Sequence, residues 1–250
     1  MTTSLQARER YPDTSWGPDI QADPDPRLIG LLKPDSFEAD QYRALRYGIE
    51  RVCPSEECRV LAITSPIAGD GKTVTTINLA GTMAKAGQIR VLLIDADLRR
   101  PAVASMLGFK NYDGPGLVDA ILRPGRNLEH SICQLERFNL SVVTTRRPEA
   151  DAYDILASGA MGELIRDARQ RYDYVLLDCP PVLPAPDCRL LAQWLDGFLI
   201  VVAADKTPRK LLEETLISLG PNKILGLVFN GESYRQSRYG KYYYAYYHRE

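Results

Sequence analysis

Histidine and paired cysteines are scarce in this sequence. It has 2 histidines, His130 and His248, and 5 cysteines, an odd number that includes no CxxC pair. Structural zinc sites usually take their ligands from closely spaced cysteine and histidine pairs, and disulfide scaffolds usually have an even number of cysteines. The sequence therefore argues against a zinc site and against a disulfide-stapled fold. Reduced, mostly buried thiols are expected instead.

Long apolar segments and an excess of charge of either sign are also missing. The longest apolar stretches, such as residues 197–204, are far shorter than the roughly 18 to 20 residues of a membrane-spanning helix, and the first residues form no apolar signal core. With 31 basic and 32 acidic residues, the formal net charge is -1. This balance excludes a polycation for nucleic acid or anionic lipid. We expect a cytoplasmic protein with no nucleic-acid partner.

Short apolar runs alternate with helical stretches from residue 59 onward. Several runs are apolar nearly throughout, which is typical of strands buried on both faces of a parallel sheet with helical crossovers. The predicted strands are 59–64, 90–95, 140–145, 173–178, 197–204 and 224–229. The sequence therefore predicts one α/β domain over residues 28–230, with a doubly wound, mostly parallel sheet. Residues 1–27, rich in Pro and Asp, are expected to be a disordered leader, and residues 231–250 a separate tail.

A helix is predicted before the first strand. Ser36 is a suitable N-cap, and Tyr42, Leu45, Ile49 and Val52 recur at helical spacing after it. The pattern predicts a helix that runs to about Val52 with these four residues on its apolar face, and Arg43 and Arg46 then share a different face.

The segment between the first predicted strand and the next helix is rich in small residues. Such a loop lets successive backbone N–H groups point at one anion, and the helix N-terminus adds partial positive charge. The usual pattern is G-x-x-x-x-G-K-[ST]; here Pro66 replaces the first glycine, while the final glycine, lysine and threonine are kept. The sequence therefore predicts a phosphate-binding loop. Its candidate nucleotide-binding residues are Ala68, Gly69, Asp70, Gly71, Lys72, Thr73 and Val74.

Carboxylates end two of the predicted strands. Asp95 closes one strand, with Asp97 two residues later, and Asp178 closes another. Because ligands of open α/β sheets bind outside the carboxyl ends of the strands, these side chains are expected to meet the bound phosphates. Magnesium there needs oxygen ligands, and the candidates are Thr73, Asp95 and Asp178. A carboxylate can also accept the proton of a phenol, so the sequence leaves both roles open for Asp95 and Asp97.

The C-terminal segment 231–250 holds half of the chain's 14 tyrosines, interleaved with arginine and lysine. Twenty extended residues reach roughly 65 to 70 Å, far enough to span to a neighbouring subunit. Alternative interpretations are an aromatic low-complexity tail or a strip that stacks on nucleic-acid bases. The phosphate loop upstream favours a tail of phosphate acceptors. The candidate acceptors are Tyr234, Tyr239, Tyr242, Tyr243, Tyr244, Tyr246 and Tyr247.

These features occur in the same order in the bacterial tyrosine kinases of capsule and exopolysaccharide synthesis, which the sequence resembles from about residue 28 to its end. Those kinases are P-loop NTPases with deviant Walker motifs, unrelated in fold to eukaryotic protein kinases. The segments GDGKT, DADLR and DCPP are similar to the family's Walker A, Walker A′ and Walker B motifs. The matching positions are Lys72, Thr73, Asp95, Asp97, Arg99, Asp178, Pro180 and Pro181.

The resemblance assigns roles to several of these residues. Lys72, Asp95 and Asp97 are candidate catalytic residues, and the family favours Asp95 as the base. Arg99 is expected to hold Asp97 or a phosphate, although a solvated arginine at a helix start is an equal alternative. Asn230, at the end of the last strand, resembles an asparagine that contacts adenine in the family.

The predicted N-terminal helix also carries a family motif. Asp40, Arg43 and Arg46 are similar to the D/E-x-x-R-x-x-R oligomerisation motif, with Asp where Glu is usual. The resemblance implies that these side chains make contacts between subunits in a ring. The spacing alone also allows an ion pair within one helix.

The resemblance implies an ATP-dependent protein-tyrosine autokinase that phosphorylates its own C-terminal tyrosines and regulates capsular or exopolysaccharide synthesis and export. The implied cofactors are ATP and Mg²⁺. The implied partners are a transmembrane polysaccharide chain-length determinant (co-polymerase) that activates the kinase, further copies of the chain, and a cognate tyrosine phosphatase. Such a partner implies recruitment to the inner face of the cell membrane.

Two other functions remain open. Partitioning and division-site ATPases share the P-loop superfamily but usually carry K-G-G-x-G-K-[ST], whose first lysine is replaced here by Ile67. The C-terminal tyrosines also count against an ATPase of that class. A nucleotide-binding scaffold without catalysis is less favoured, because every expected acidic position is filled.

Overall fold

A sheet that is parallel except at one edge forms the centre of the fold. The computed structural model describes residues 23–53, 59–87, 89–109, 112–123, 125 and 127–231, and within them the sheet has seven strands. Among these strands only β3 is antiparallel to its neighbour, and their order is β3-β4-β2-β5-β1-β6-β7. The strands are β1 Arg59–Thr64, β2 Val91–Asp95, β3 Cys133–Leu135, β4 Leu140–Val143, β5 Tyr174–Asp178, β6 Gly197–Ala203 and β7 Ile224–Asn230.

Helices connect and cover these strands. None of the helices in the described ranges is both long and apolar enough to cross a bilayer. The α-helices are α1 Ile29–Leu32, α2 Phe37–Val52, α3 Lys72–Ala84, α4 Val103–Met106, α5 Leu117–Leu122, α6 Ala152–Ala157, α7 Gly159–Arg171, α8 Asp187–Leu191 and α9 Arg209–Leu219. Short 3₁₀ turns are formed by Glu129–Ser131, Glu136–Phe138 and Pro221–Lys223.

Helices pack on both faces of the sheet because the strands are apolar on both faces. Val60 and Ala62 of β1 join one core with α5 to α9, whereas Leu61 and Ile63 join the other core with α1 to α4. All four side chains are fully buried. Uninterrupted apolar runs are typical of strands covered on both sides, so the predicted doubly wound α/β fold is confirmed.

The structure confirms all six predicted strands, with ends that differ by at most two residues. The sequence prediction missed β3, a strand of 3 residues at the sheet edge. A strand this short shows no periodicity, so no sequence pattern predicts it. It pairs with β4 across a tight turn in which Asn139 has a positive φ of 51°.

The helix α2 begins and ends where its pattern predicts. Ser36 Oγ accepts a hydrogen bond from Ala39 N (3.2 Å), which caps the first turn. Ile49 is buried in the core, but Val52 is 57% exposed. The apolar face of α2 is therefore one turn shorter than the sequence predicts.

The end of the predicted leader contacts the domain. Asp25 N donates a hydrogen bond to Met106 O (2.8 Å), and Pro24 is buried. Residues 1–22 and 232–250 lie outside the described residues, so most of the predicted leader and all candidate tyrosine acceptors fall there. The predicted domain boundaries stay predictions.

Asn78 ties the N-terminal segment to α3. Its Oδ1 accepts from Gly30 N (2.7 Å), and its Nδ2 donates to Arg27 O (3.0 Å). The side chain of Asn78 is buried. A Cβ on Gly30 would lie 2.6 Å from Asn78 O, so the close approach of α1 to α3 requires glycine. The amide of Asn78 therefore satisfies two buried or half-buried backbone groups.

We expect Asn78→Ala to lower the free energy of unfolding by about 2 to 3 kcal/mol, because two backbone groups lose their partner. Urea denaturation measures the change, and hydrogen exchange at residues 28–32 reports the release of α1. The matched control is Asn127→Ala, because Asn127 is exposed and should lose less than about 1 kcal/mol. Equal stability of wild type and Asn78→Ala would contradict this role.

Candidate active site

The phosphate loop lies between the end of β1 and the start of α3. Gly69 and Gly71 have positive φ angles of 88° and 94°, which residues with a Cβ rarely adopt. Gly71 directly precedes Lys72, the first residue of α3. The N–H groups of the first helical turn, with the positive end of the helix dipole, therefore border the loop. This geometry suits a phosphate group.

Three side chains from the carboxyl ends of β6 and β7 hold the loop from outside. Thr207 Oγ1 donates to Asp70 Oδ1 (2.7 Å), and Asn230 Nδ2 donates to Asp70 O (2.9 Å). Lys206 Nζ donates to Gly69 O (3.0 Å). The sequence prediction included Asn230 but missed Lys206 and Thr207. Their position shortly after a buried strand was the available signal, because loops at that edge meet the ligand.

Lys72 is surrounded by carboxylates at the mouth of the loop. Its Nζ lies 2.7 Å from Asp97 Oδ2 and 3.6 Å from Asp178 Oδ2. Thr73 Oγ1 donates to the same Asp178 oxygen (2.7 Å). The sheet order explains the cluster, because β2 and β5 are neighbours and their terminal residues Asp95 and Asp178 are aligned. The structure thus brings the candidate catalytic and metal-binding residues together.

Asp95 differs from the other two carboxylates because its oxygens face backbone amides. Its Oδ2 accepts from Ala102 N (3.1 Å) and Val103 N (3.0 Å), and its Oδ1 accepts from Asp97 N (3.2 Å). Asp97 Oδ1 in turn accepts from Arg100 N (2.9 Å). Asp95 therefore holds the turn that carries Asp97.

Burial and mutual repulsion shift the proton affinities of this cluster. Burial, followed by the charge of Asp178, raises the pKa of Asp95 to about 8. Burial also raises the pKa of Asp178. Burial by itself would lower the pKa of Lys72, but attraction to Asp178 and Asp97 outweighs burial and raises it. Asp97 and Asp178 share one lysine, so the site keeps an excess of negative charge even while Asp95 is protonated, and a further cation would neutralise this charge.

The oxygen donors suit magnesium in combination with other oxygens. Within the described ranges, no three His, Cys, Asp or Glu side chains are arranged to hold a metal ion by themselves. Thr73 Oγ1 and Asp178 Oδ2 lie 2.7 Å apart, and magnesium typically takes one or two such protein ligands together with phosphate oxygens and waters. The excess negative charge also favours a cation, so these residues fit the metal. Asp95, the third predicted ligand, has both oxygens on backbone amides.

Arg99 pairs with a residue that the sequence prediction did not include. Its Nε and Nη2 donate to Asp187 Oδ2 and Oδ1, both at 2.9 Å, whereas Asp97 or a phosphate was the expected partner. Asp187 is fully buried and is the first residue of α8. Because Asp near a helix start is usually a cap, the sequence carries no specific signal for this pairing.

The predicted oligomerisation residues lie on α2 and contact their own chain. Arg43 Nε donates to Asp40 Oδ1 (2.7 Å), and its Nη1 donates to Pro34 O (2.7 Å). Arg46 Nε lies 3.0 Å from Glu50 Oε1. The ion pair within the helix is therefore present in a single chain, and the contacts between subunits stay a prediction.

Comparisons with known proteins find relatives over most of this chain. A family described as an AAA domain matches residues 58–206. Tyrosine-protein kinase YwqD of Bacillus subtilis (strain 168) is 32% identical over 218 residues, which are 86% of this chain and 90% of YwqD. Succinoglycan biosynthesis transport protein ExoP of Rhizobium meliloti (strain 1021) is 31% identical over 84% of this chain, but the match spans 29% of ExoP. The crystal structure of the chimerical protein CapA2B2 has a TM-score of 0.75 and 25% identity, covering 83% of this chain and 90% of that one.

Proteins of the alternative class are more distant. The septum site-determining protein MinD from Pyrococcus horikoshii OT3, complexed with Mg-ADP, has a TM-score of 0.56 and 22% identity over 69% of each chain. This likeness shows a shared fold alone, so the partitioning or division-site ATPase is the less supported function. This chain has the architecture of a nucleotide-binding P-loop domain, and its match with YwqD covers most of both proteins. The chain therefore belongs to the bacterial protein-tyrosine kinases.

Proposed function

We propose that this kinase transfers the γ-phosphoryl group of ATP to tyrosines of its own segment 231–250 and thereby regulates the synthesis and export of a capsular polysaccharide or exopolysaccharide. The observation that carries the proposal is the position of Lys72 at the mouth of the phosphate loop, between Asp97 and Asp178. A lysine and carboxylates at this position are the groups that align and neutralise a transferring phosphoryl group.

The chain's own groups align the phosphates. The N–H groups of the loop and of the first turn of α3 bind phosphate oxygens, and Lys72 turns from Asp97 to neutralise the β- and γ-phosphate charge. Glycine is needed at position 71, because a Cβ there would lie 2.0 Å from Asn230 Nδ2. Magnesium, when bound, supplies further neutralisation of the phosphate oxygens, and Thr73 and Asp178 are the residues that would hold it.

A carboxylate accepts the proton of the tyrosine hydroxyl as the bond to phosphorus forms. A phenol has a pKa near 10, so the most effective base has a high proton affinity of its own. Asp95, whose pKa is raised to about 8, acts as this base in its ionised form, and the fraction of Asp95 in that form grows as the pH approaches 8. Asp97 lies closer to Lys72 than Asp95 does. When that lysine turns to the phosphates, Asp97 becomes available as a second proton acceptor.

The composition of the tail suits the charge of the site. Its tyrosines are interleaved with Arg235, Arg238, Lys241 and Arg249. A basic segment is attracted to a mouth that contains three buried carboxylates, so the same cations that surround the acceptors also bring them to the loop.

The relatives support a role in polysaccharide export. ExoP is named for succinoglycan biosynthesis transport, and this chain matches 29% of its length. We propose that a transmembrane polysaccharide chain-length determinant activates the present chain at the inner face of the membrane. A cognate tyrosine phosphatase would reset the tail.

Lys72→Met and Asp178→Asn should each reduce phosphotyrosine formation at least about a hundredfold, because each removes charge neutralisation from the transferring phosphoryl group. The measurement is the transfer of label from ATP to tyrosine in purified protein, with circular dichroism to show that the variants fold. Lys33→Met is the matched control, because Lys33 is exposed at the end of α1. Full phosphotyrosine formation by folded Lys72→Met protein would exclude the proposed role of this lysine.

The stability of the nucleotide-free protein should fall as the pH rises from about 4 to 8. The pKa of Asp95 is raised from 3.8 to about 8, so in this window the folded state binds a proton that the unfolded chain has lost. Stability falls with pH wherever the folded state binds more protons. Urea denaturation at pH 5, 6, 7 and 8 measures the slope, which should be shallower in Asp95→Asn. Identical slopes for wild type and variant would show that Asp95 does not titrate in this range.

The ring hypothesis predicts that assembly depends on both the α2 arginines and the phosphorylation state of the tail. Each phosphotyrosine adds about -1.5 to -2 charges, so a modified tail is repelled by the acidic mouth and no longer links subunits. Light scattering should find a large oligomer for unphosphorylated protein and small species for phosphorylated protein and for Arg43→Ala/Arg46→Ala. Equal masses for all three would eliminate the mechanism.

A further inference from the structure

Two arginine–carboxylate pairs join the segments that flank the neighbouring strands β2 and β5. One pair lies at the amino ends of these strands and the other lies beyond their carboxyl ends. At the amino ends, Arg90 Nη2 donates to Asp173 Oδ1 (2.8 Å). Beyond the carboxyl ends, Arg99 donates through two nitrogens to both oxygens of Asp187, each at 2.9 Å. The second pair lies on the same side as the active site, which is also formed at the carboxyl ends of the strands.

Asp187 belongs to a segment that is fixed to the loop that follows Asp178. Its neighbour Cys188 is fully buried, and Cys188 Sγ lies 3.2 Å from Pro180 O and 3.4 Å from Thr64 Oγ1. Thr64 Oγ1 also donates to Pro180 O (2.7 Å). Buried contacts therefore fix the position of the Asp187 carboxylate relative to the end of β5.

Arg99 belongs to the turn that carries Asp97. That turn is closed by the hydrogen bond from Arg100 N to Asp97 Oδ1 (2.9 Å), and its start is held by Ala96 N, which donates to Asp178 O (2.9 Å). Arg99 attaches the far side of the same turn to Asp187. A bidentate arginine pair of this kind defines the orientation of its partners as well as their separation.

Lys72 bridges the two loops in this structure, because its Nζ lies near both Asp97 and Asp178. Under the proposed function, on which this inference rests, Lys72 turns to phosphate oxygens and that bridge is lost. Asp97 then has no lysine beside it, and the lysine no longer fixes the distance between the two loops. The Arg99–Asp187 pair lies outside this change.

We propose that Arg99 and Asp187 are positioning residues that keep Asp97 at its working distance from Asp178 while Lys72 engages the phosphates. They touch neither the nucleotide nor the acceptor tyrosine. Their effect is on the rate of transfer at saturating ATP and not on nucleotide affinity, because the phosphate loop itself does not depend on the pair. A displacement of about 1 Å in a reacting group typically costs about a hundredfold in rate.

The test compares Asp187→Asn, Arg99→Ala and the double variant with Asp173→Asn. Asp187→Asn keeps the shape of the side chain, and Asp173→Asn weakens the corresponding ion pair at the opposite edge of the same two strands. Three quantities are measured in purified full-length protein: the initial rate of phosphotyrosine formation at saturating ATP, the dissociation constant for ADP by calorimetry, and the melting temperature.

We expect Asp187→Asn and Arg99→Ala each to lower the rate about 10- to 100-fold, the double variant to lose no more than the single variants, and ADP affinity to change less than about threefold. Asp173→Asn should retain the wild-type rate even if its melting temperature falls. A rate loss in Arg99→Ala but not in Asp187→Asn would overturn the proposal and indicate that Arg99 acts on the substrate directly. Loss in proportion to melting temperature in all variants, Asp173→Asn included, would also overturn it.

These outcomes separate the inference from the proposed function. If wild-type protein forms no phosphotyrosine, the proposed tail phosphorylation fails, and ATP hydrolysis by the same variants then tests the pair. Wild-type hydrolysis with unchanged rates in Asp187→Asn and Arg99→Ala would overturn the positioning role by itself.

Discussion

Repulsion among three buried carboxylates is the constraint on which this active site depends. Asp95, Asp97 and Asp178 are all at most 2% exposed, and Lys72 is the cation beside Asp97 and Asp178. Each carboxylate is stabilised differently: Asp95 by backbone N–H groups, Asp97 by Lys72, and Asp178 by the hydroxyls of Thr73 and Thr76. Buried charges persist only when paired or hydrogen-bonded, so these contacts hold the site together without substrate.

The order of the strands creates this concentration of charge. β5 lies between β1 and β2, so the phosphate loop after β1 and the two acidic strand ends share one edge of the sheet. From β1 the chain continues through α3 on one face, and from β5 it continues through α8 on the other. The crevice between such diverging connections is where open α/β sheets bind ligands. The outer strands β6 and β7 then supply Lys206, Thr207 and Asn230 to the loop.

Local sequence patterns were sufficient for six of the seven described strands, for the phosphate loop and for the acidic strand ends. Apolar runs and glycine positions are properties of consecutive residues, and the loop of Gly69 and Gly71 is encoded where it forms. The pairing of Arg99 with Asp187 joins residues 88 apart in sequence. Neither residue type nor spacing distinguishes such a pair from a solvated arginine and a helix cap. Contacts that depend on how two loops meet in space are therefore the part that a single sequence does not reveal.

Proton affinity is another property that the sequence did not disclose. An aspartate at a strand end reads the same whether its pKa is near 4 or near 8, because the difference arises from burial and from the neighbouring Asp178. The sequence left the base and the metal bridge undecided between Asp95 and Asp97. The structure gives them different surroundings, since only Asp97 lies directly on Lys72 and Asp95 lies on backbone amides.

Under the proposed function, the same excess of charge governs both arrival and departure of the tail. Before transfer, a tail with arginine and lysine among its tyrosines is attracted to the acidic mouth. Each transferred phosphoryl group adds about -1.5 to -2 charges to that tail, and several of them reverse its sign. The site that stabilises the reaction by collecting carboxylates then repels its own product. Since the repulsion grows with each modified tyrosine, the charge of the site limits how many tyrosines of one tail remain accessible to it.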